Sequence, residues 1–300
     1  LYLVTQTPED ARLMPMILMI NTVIFVLMSL GCYRNDEAAI LTKSTVWFAG
    51  FNQFQPNFLQ MLGESLAGCF LFGTNNYNGV LWTIPYLFSG ALVVYLAAYL
   101  VGENPFRYVV YLVMLLAAVK TDIYFAGIFL GFAASDFFCT RQKGMELWRR
   151  FWLLPLGSFV LGVYLLSYPS IGSDMSGTIY GILPSVYTTL YHLAGAALLL
   201  AGVLGLPGLQ RFFGAKPFRF LGKVSYSLYL LHFPVIATFS CWLFLSLYGK
   251  MSYGLLTALD FVCTLALVLI LSALSRKYLE PVSGRLTAGI SKTFAGRKKE

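Results

Sequence analysis

Between residues 220 and 235 the chain reads FLGKVSYSLYLLHFPV, which sets Ser225, Tyr226, Ser227, Tyr229 and His232 inside an otherwise apolar run. His232 is one of two histidines in 300 residues. At about 3.6 residues per helical turn, Ser225, Tyr229 and His232 recur at i, i+4 and i+7 and share one face, with Tyr226 one step aside. Hydroxyls and an imidazole in that pattern can bind a carbonyl, offset charge developing on it, or move a proton. Such a stripe is costly in hydrocarbon, so it must face a bundle interior or a wet passage. Two accounts fit the residues. Interhelical hydrogen bonding is the simpler account of Ser225 and Ser227; a functional cavity is the account that His232, stacked with Tyr229 and Ser225, invites. Pro234, two residues beyond His232, loosens the backbone ladder locally.

Two other stretches carry polar chemistry. In NNYNGVLWTIPYLFSG (75–90), the Asn and Gly residues make a turn, Trp82 suits a membrane interface, and Pro85 should start or kink a helix. His192, in LYHLAGA, falls near the end of its apolar run. It is a structural or interfacial residue unless a substrate hydroxyl comes within hydrogen-bond reach, where it could serve as a base or binding group.

The elements that must position these residues are spanning helices. Hydrophobic residues make up 58% of the chain and charged residues 11%, with a mean hydropathy of +0.71; a soluble domain carries about 25% charged residues. The fold class is therefore all-α, a polytopic transmembrane helix bundle in a lipid bilayer. Eight apolar runs are candidate spans: 13–31, 80–101, 106–119, 123–139, 151–167, 187–204, 224–248 and 253–274. The polar stretch 45–73, with Asn52, Gln53, Gln55, Asn57, Gln60 and Glu64, reads as interfacial or re-entrant.

The net charge of +8 does not indicate nucleic-acid binding, because the cations cluster in short loops and at the tail. Loops 141–150 and 211–223 and the tail are basic, whereas 73–79 and 168–181 contain no Lys or Arg. Alternating them across the spans puts the basic loops and the C-terminus on the cytoplasmic side. The five cysteines lie far apart with no ligand spacing, so they read as small core residues and no metal site is expected.

Three of these stretches, in order, resemble the membrane-bound acyltransferase-3 family, particularly its fungal branch. LWTIPYLFSGALVVYL resembles the family's Trp-Thr-Ile-Pro segment, FRFLGKVSYSLYLLHFPV its LGxxSYSLYLxHxP signature, and YLEPVSGRL its terminal Glu-Pro segment at Glu280 and Pro281. DARLMPMIL and YFAGIFLGFAASDFF are similar to lesser pieces. The likeness covers one transmembrane domain from about residue 10 to 286, with a basic cytoplasmic tail over 276–300. It implies an enzyme that moves an acyl group, often acetyl, from acyl-CoA to a hydroxyl of a carbohydrate or small lipophilic acceptor. It also implies that Ser225, Tyr229 and His232 line a central passage near the donor, with Trp82, Tyr226 and His192 as substrate-binding candidates.

The sequence departs from that pattern in two places. The family's catalytic histidine follows a basic residue by eleven positions, but Gly181 and Leu221 stand eleven before His192 and His232. The base is therefore expected upstream of Leu1, in an N-terminally truncated chain. Leu87 and Ser89 replace the Glu and Arg of the fungal motif. Together these leave a second expectation open: a catalytically inactive relative or fragment that serves as a membrane partner or carrier.

Overall fold

Apolar runs without two-residue alternation fold as helices in the computed structural model, which describes residues 13–45, 48–102, 104–140, 142–169 and 175–296. Among them the helices are α1 (Leu13–Ser29), α2 (Asn35–Thr42), α3 (Phe58–Leu71), α4 (Gly79–Val101), α5 (Arg107–Thr121) and α6 (Ile123–Thr140). There follow α7 (Gln142–Arg150), α8 (Leu153–Leu166), α9 (Thr188–Gly205), α10 (Pro207–Phe213), α11 (Lys216–Leu247) and α12 (Tyr253–Gly296). No strand occurs among the described residues.

Every apolar run is helical, yet among the described residues five helices are long and apolar enough to cross a membrane: α4, α6, α9 as Ser185–Gly205, α11, and α12 over Tyr253–Ala288. A sixth arises if α7 and α8, bent by 83°, count as one broken span. The runs expected to span at 13–31 and 106–119 yield helices of 17 and 15 residues. At ~1.5 Å per residue the 15 residues of α5 fall short of a ~30 Å hydrocarbon core, and the described part of α1 covers about 25 Å. The protein is thus an all-helical, multi-pass integral membrane protein. In the other direction, the 44 residues of α12 outrun the bilayer, and the stretch expected to be a tail from 276 onward is helical to Gly296, passing through Pro281.

The chain divides into two units, Leu1–Phe88 with Phe220–Glu300, and Ser89–Arg219. In the first, α1 buries Met16, Ile17, Ile20, Asn21 and Ile24 at helical spacing; its four apolar residues pack with Met61, Cys69, Tyr77, Leu81, Ile84 and Leu230, and Asn21 donates to Ser65 at 2.9 Å. Helices α11 and α12 run antiparallel: Arg276 donates to the Lys223 carbonyl at one end, and Ser240 donates to Asp260 at 2.6 Å further along. Pro234 lacks the N–H that continues the ladder, and a π-helical segment, Ile236–Ser240, follows it directly.

In the second unit α8 and α9 form a close hairpin. A Cβ at Gly202 would lie 2.7 Å from the Phe159 backbone nitrogen, and one at Gly162 would lie 2.5 Å from that of Leu199. Small residues let the two backbones approach, and Ser158 adds a hydrogen bond to the Leu198 carbonyl at 2.8 Å. Helices α5 and α6 are joined by an ion pair, Arg107 to Asp136 at 2.7 Å. All five cysteines are free; Cys69 and Cys241 are buried as expected of core residues, whereas Cys139 is exposed on α6.

Candidate functional site

The polar residues of α11 meet three other elements of the first unit. Tyr226 donates to the Leu13 carbonyl at the start of α1, at 3.1 Å. Ser227, fully buried, donates to the Glu280 carboxylate of α12 at 2.9 Å. Tyr229 donates to the Val80 carbonyl, at the opening turn of α4. A carbonyl can only accept, so the Tyr229 proton is committed there, and its oxygen takes the hydroxyl proton of Thr83, which lies against it.

His232 is half-buried, and its Nδ1 lies 3.2 Å from the Leu228 carbonyl one turn back. The same acceptor logic puts the proton on Nδ1 and leaves Nε2 as the lone-pair side of the ring. The His232 and Tyr229 rings are 6.2 Å apart and tilted by 47°. Ser225 stands apart from them: it is exposed, and its hydroxyl bonds to the Gly222 carbonyl of its own helix at 2.9 Å. The structure therefore places Tyr229 beside His232, while the nearby hydroxyls of Ser227 and Tyr226 turn to α12 and α1.

The turn before α4 supplies the other wall. Asn78 donates to the Leu230 carbonyl at 2.9 Å, which ties the turn to α11 next to Tyr229. Trp82, 43% exposed, packs edge-on against Tyr86 at 6.2 Å and adjoins Thr83 in sequence. Pro85 is the second residue of the regular α-helix that follows a 3-10 opening, a position where its missing N–H costs nothing. Leu87 is 53% exposed.

What holds this turn was not assigned from sequence. Glu64 sits in a π-helical turn of α3, only 5% exposed. One carboxylate oxygen accepts the backbone N–H of Tyr77 at 3.0 Å; the other accepts the backbone and side-chain N–H groups of Asn76 at 3.1 and 2.9 Å. Tyr77, completely buried, closes the clasp by donating to and accepting from the Asn57 backbone, both at 2.8 Å. A lone acid between apolar helical residues was the available signal, since a carboxylate there must have a purpose; its partners, twelve and thirteen residues away, were not legible.

His192 belongs to the second unit, where its Nε2–H donates to the Tyr168 carbonyl at 2.9 Å, leaving Nδ1 as the acceptor.

A buried polar seam on a multi-pass helical scaffold defines the class: an integral membrane protein with hydrogen-bonding groups held inside its apolar helices. Comparison with protein families then narrows it. Residues 11–277 match the family described as an acyltransferase domain, so the chain belongs to the acyltransferase-3 family of membrane acyltransferases. Comparisons with curated proteins and with solved structures give no match.

Proposed function

We propose that the protein transfers an acyl group, acetyl in the simplest case, from acyl-CoA to a hydroxyl of a carbohydrate or small lipophilic acceptor. The observation that carries this reading is the family match over 11–277. In the reaction the acceptor O–H loses its proton, the oxygen attacks the thioester carbon, the C–S bond breaks, and the CoA thiolate takes up a proton. The base that the family resemblance requires is a histidine eleven positions after a basic residue, and neither His192 nor His232 fits that spacing. What residues 220–235 contribute is a positioned imidazole. With Nδ1–H held by Leu228, His232 can accept a proton or hydrogen bond through Nε2. The Tyr229 proton is committed to Val80 and the Thr83 proton to Tyr229, so the two fix the wall beside His232. Arg276 and Lys223 meet at one end of the α11–α12 pair, and excess basic charge there favours the cytoplasmic face for that end and for the C-terminus.

A second reading, a non-catalytic relative that keeps the seam, is favoured by the uncharged Leu87 and Ser89 in the segment where the fungal motif carries Glu and Arg. One assay separates the two. The purified protein in lipid nanodiscs is given radiolabelled acetyl-CoA with extracted membrane lipids and glycans, and release of the CoA thiol is followed together with label in each fraction. Transfer that is lost in His232→Gln, with the melting temperature retained, supports the enzyme with His232 in its mechanism. Acetyl-CoA bound but never cleaved by the wild type establishes the non-catalytic relative. Wild-type transfer by His232→Gln removes His232 from the mechanism.

A further inference from the structure

The connection between α8 and α9 has an unusual division of labour. Three tyrosine hydroxyls, from α8, from the residue two past its end and from α9, bond the connection's backbone: Tyr164 donates to the Ile179 carbonyl at 2.6 Å, Tyr168 to Leu183 at 3.1 Å, and Tyr191 to Pro184 at 3.1 Å. Turn hydrogen bonds take the carbonyls of Met175, Thr178 and Tyr180. The rings pack as they do this, with Tyr164 stacked on Tyr180 at 5.1 Å and 15°, and Tyr168 against both Tyr180 and Tyr191. Six carbonyls of this irregular segment, those of Met175, Thr178, Ile179, Tyr180, Leu183 and Pro184, thus have protein partners, so less of its backbone depends on water.

The side chains do the opposite. Ile179 is 70% exposed, Ile182 83% and Val186 76%, and Tyr187 beside them is 51% exposed. From 151 to 210 the sequence holds a single charged residue, Asp174, which lies outside the described residues. A connection with these six carbonyls bonded and Ile179, Ile182 and Val186 turned outward loses less on leaving water than a loop whose backbone has no partners. It joins a candidate span to the hairpin partner of that span, so the hydrocarbon boundary lies within a turn or two of it. Tyrosine is suited to that depth, because its ring is apolar and its hydroxyl still finds a partner.

We propose that residues 175–187 form an interfacial anchor: the tyrosine clamp folds the connection so that Ile179, Ile182 and Val186 insert into the headgroup–acyl boundary of the bilayer. The partner is the lipid surface itself, since the patch offers no charge with which to recognise an ionic ligand. The idea does not depend on the acyltransferase reading and survives its failure.

The test is a depth measurement on the full chain. In a background with its five cysteines replaced by serine or alanine, Ile182→Cys and Val186→Cys are spin-labelled, and Lys250→Cys, in an exposed turn, is the water-facing control. The labelled proteins are reconstituted in phosphatidylcholine vesicles. Collision with oxygen, which concentrates in lipid, is compared with collision with a water-soluble nickel chelate. The expected result is an oxygen-to-nickel ratio at 182 and 186 well above that at 250. A ratio no higher than at 250 overturns the proposal. So does low access to both reagents, whether a second copy covers the patch, seen as label–label broadening that weakens on dilution with lipid, or another part of the chain does. Tyr164→Phe, which removes one donor and keeps the ring, should raise nickel access at 182; unchanged access refutes the clamp.

Discussion

Removing the Glu64 carboxylate tests whether a buried clasp, and not the helices alone, sets the turn that faces Tyr229 and His232. In Glu64→Ala three N–H groups lose a charged acceptor. Asn76 is exposed, so water can recover its two; Tyr77 is fully buried, so its backbone N–H is left without a partner. One hydrogen bond to a charged group contributes about 1.5–3 kcal/mol, and leaving its donor buried and unsatisfied puts the loss at the upper end of that range. The net loss is therefore about 3 kcal/mol. At roughly 2 °C per kcal/mol, the low end for chains of this size, the apparent melting temperature should fall by about 6 °C. Glu64→Gln keeps an accepting oxygen but turns an amide N–H toward the other donors, so about half that shift is expected. A thiol-reactive dye melt in detergent, on a background with the other four cysteines replaced by alanine, suits the question because Cys69, buried on the same helix, reports when α3 opens. If Glu64→Ala melts within about 1 °C of the wild type, the clasp contributes nothing measurable and the account of the turn is refuted.

Ser227→Ala leaves a Glu280 oxygen without its donor and should cost about 1–2 kcal/mol; Glu280→Gln, which keeps the acceptor, should cost less, and equal melting shifts for the two variants would contradict this ordering. Gly202→Val places side-chain atoms against the Phe159 backbone, which cannot yield, so α8 and α9 must separate at a cost of about 1–3 kcal/mol. Gly131→Ala, with open space around its Cβ, should be neutral or stabilising in the same melt; a loss equal to that of Gly202→Val would show that helix packing is not the cause.

The apolar runs were legible because helix formation in a bilayer is a local obligation: backbone groups must bond within the segment, so ~20 apolar residues suffice to call one. That logic located all eight runs and the break after Pro234. It overstated the number that reach across, since 15 residues at 107–121 are helical but short. The helical stripe in α11 was also readable, because spacing alone puts Ser225, Tyr229 and His232 on one face. Where each hydroxyl sends its proton was not. Ser225 bonds its own helix, while Ser227, two residues on, reaches an acid 53 positions away. Glu64 shows the same limit, its role resting on donors brought in by a turn that must fold first.

Sequence by itself thus determined that this chain is a bundle of membrane helices and that it belongs with the acyltransferase-3 family, because composition, periodicity and a long motif are properties of consecutive residues. Only the tertiary structure decided the rest. It committed the Tyr229 proton to Val80, gave His232 its Nδ1–H tautomer, and made Glu64 the clasp of the turn opposite. Hydrogen bonds are short and directional, so their partners are fixed by which backbones come within about 3 Å, and for Tyr229, Ser227 and Glu64 that distance is set by packing between segments far apart in the chain.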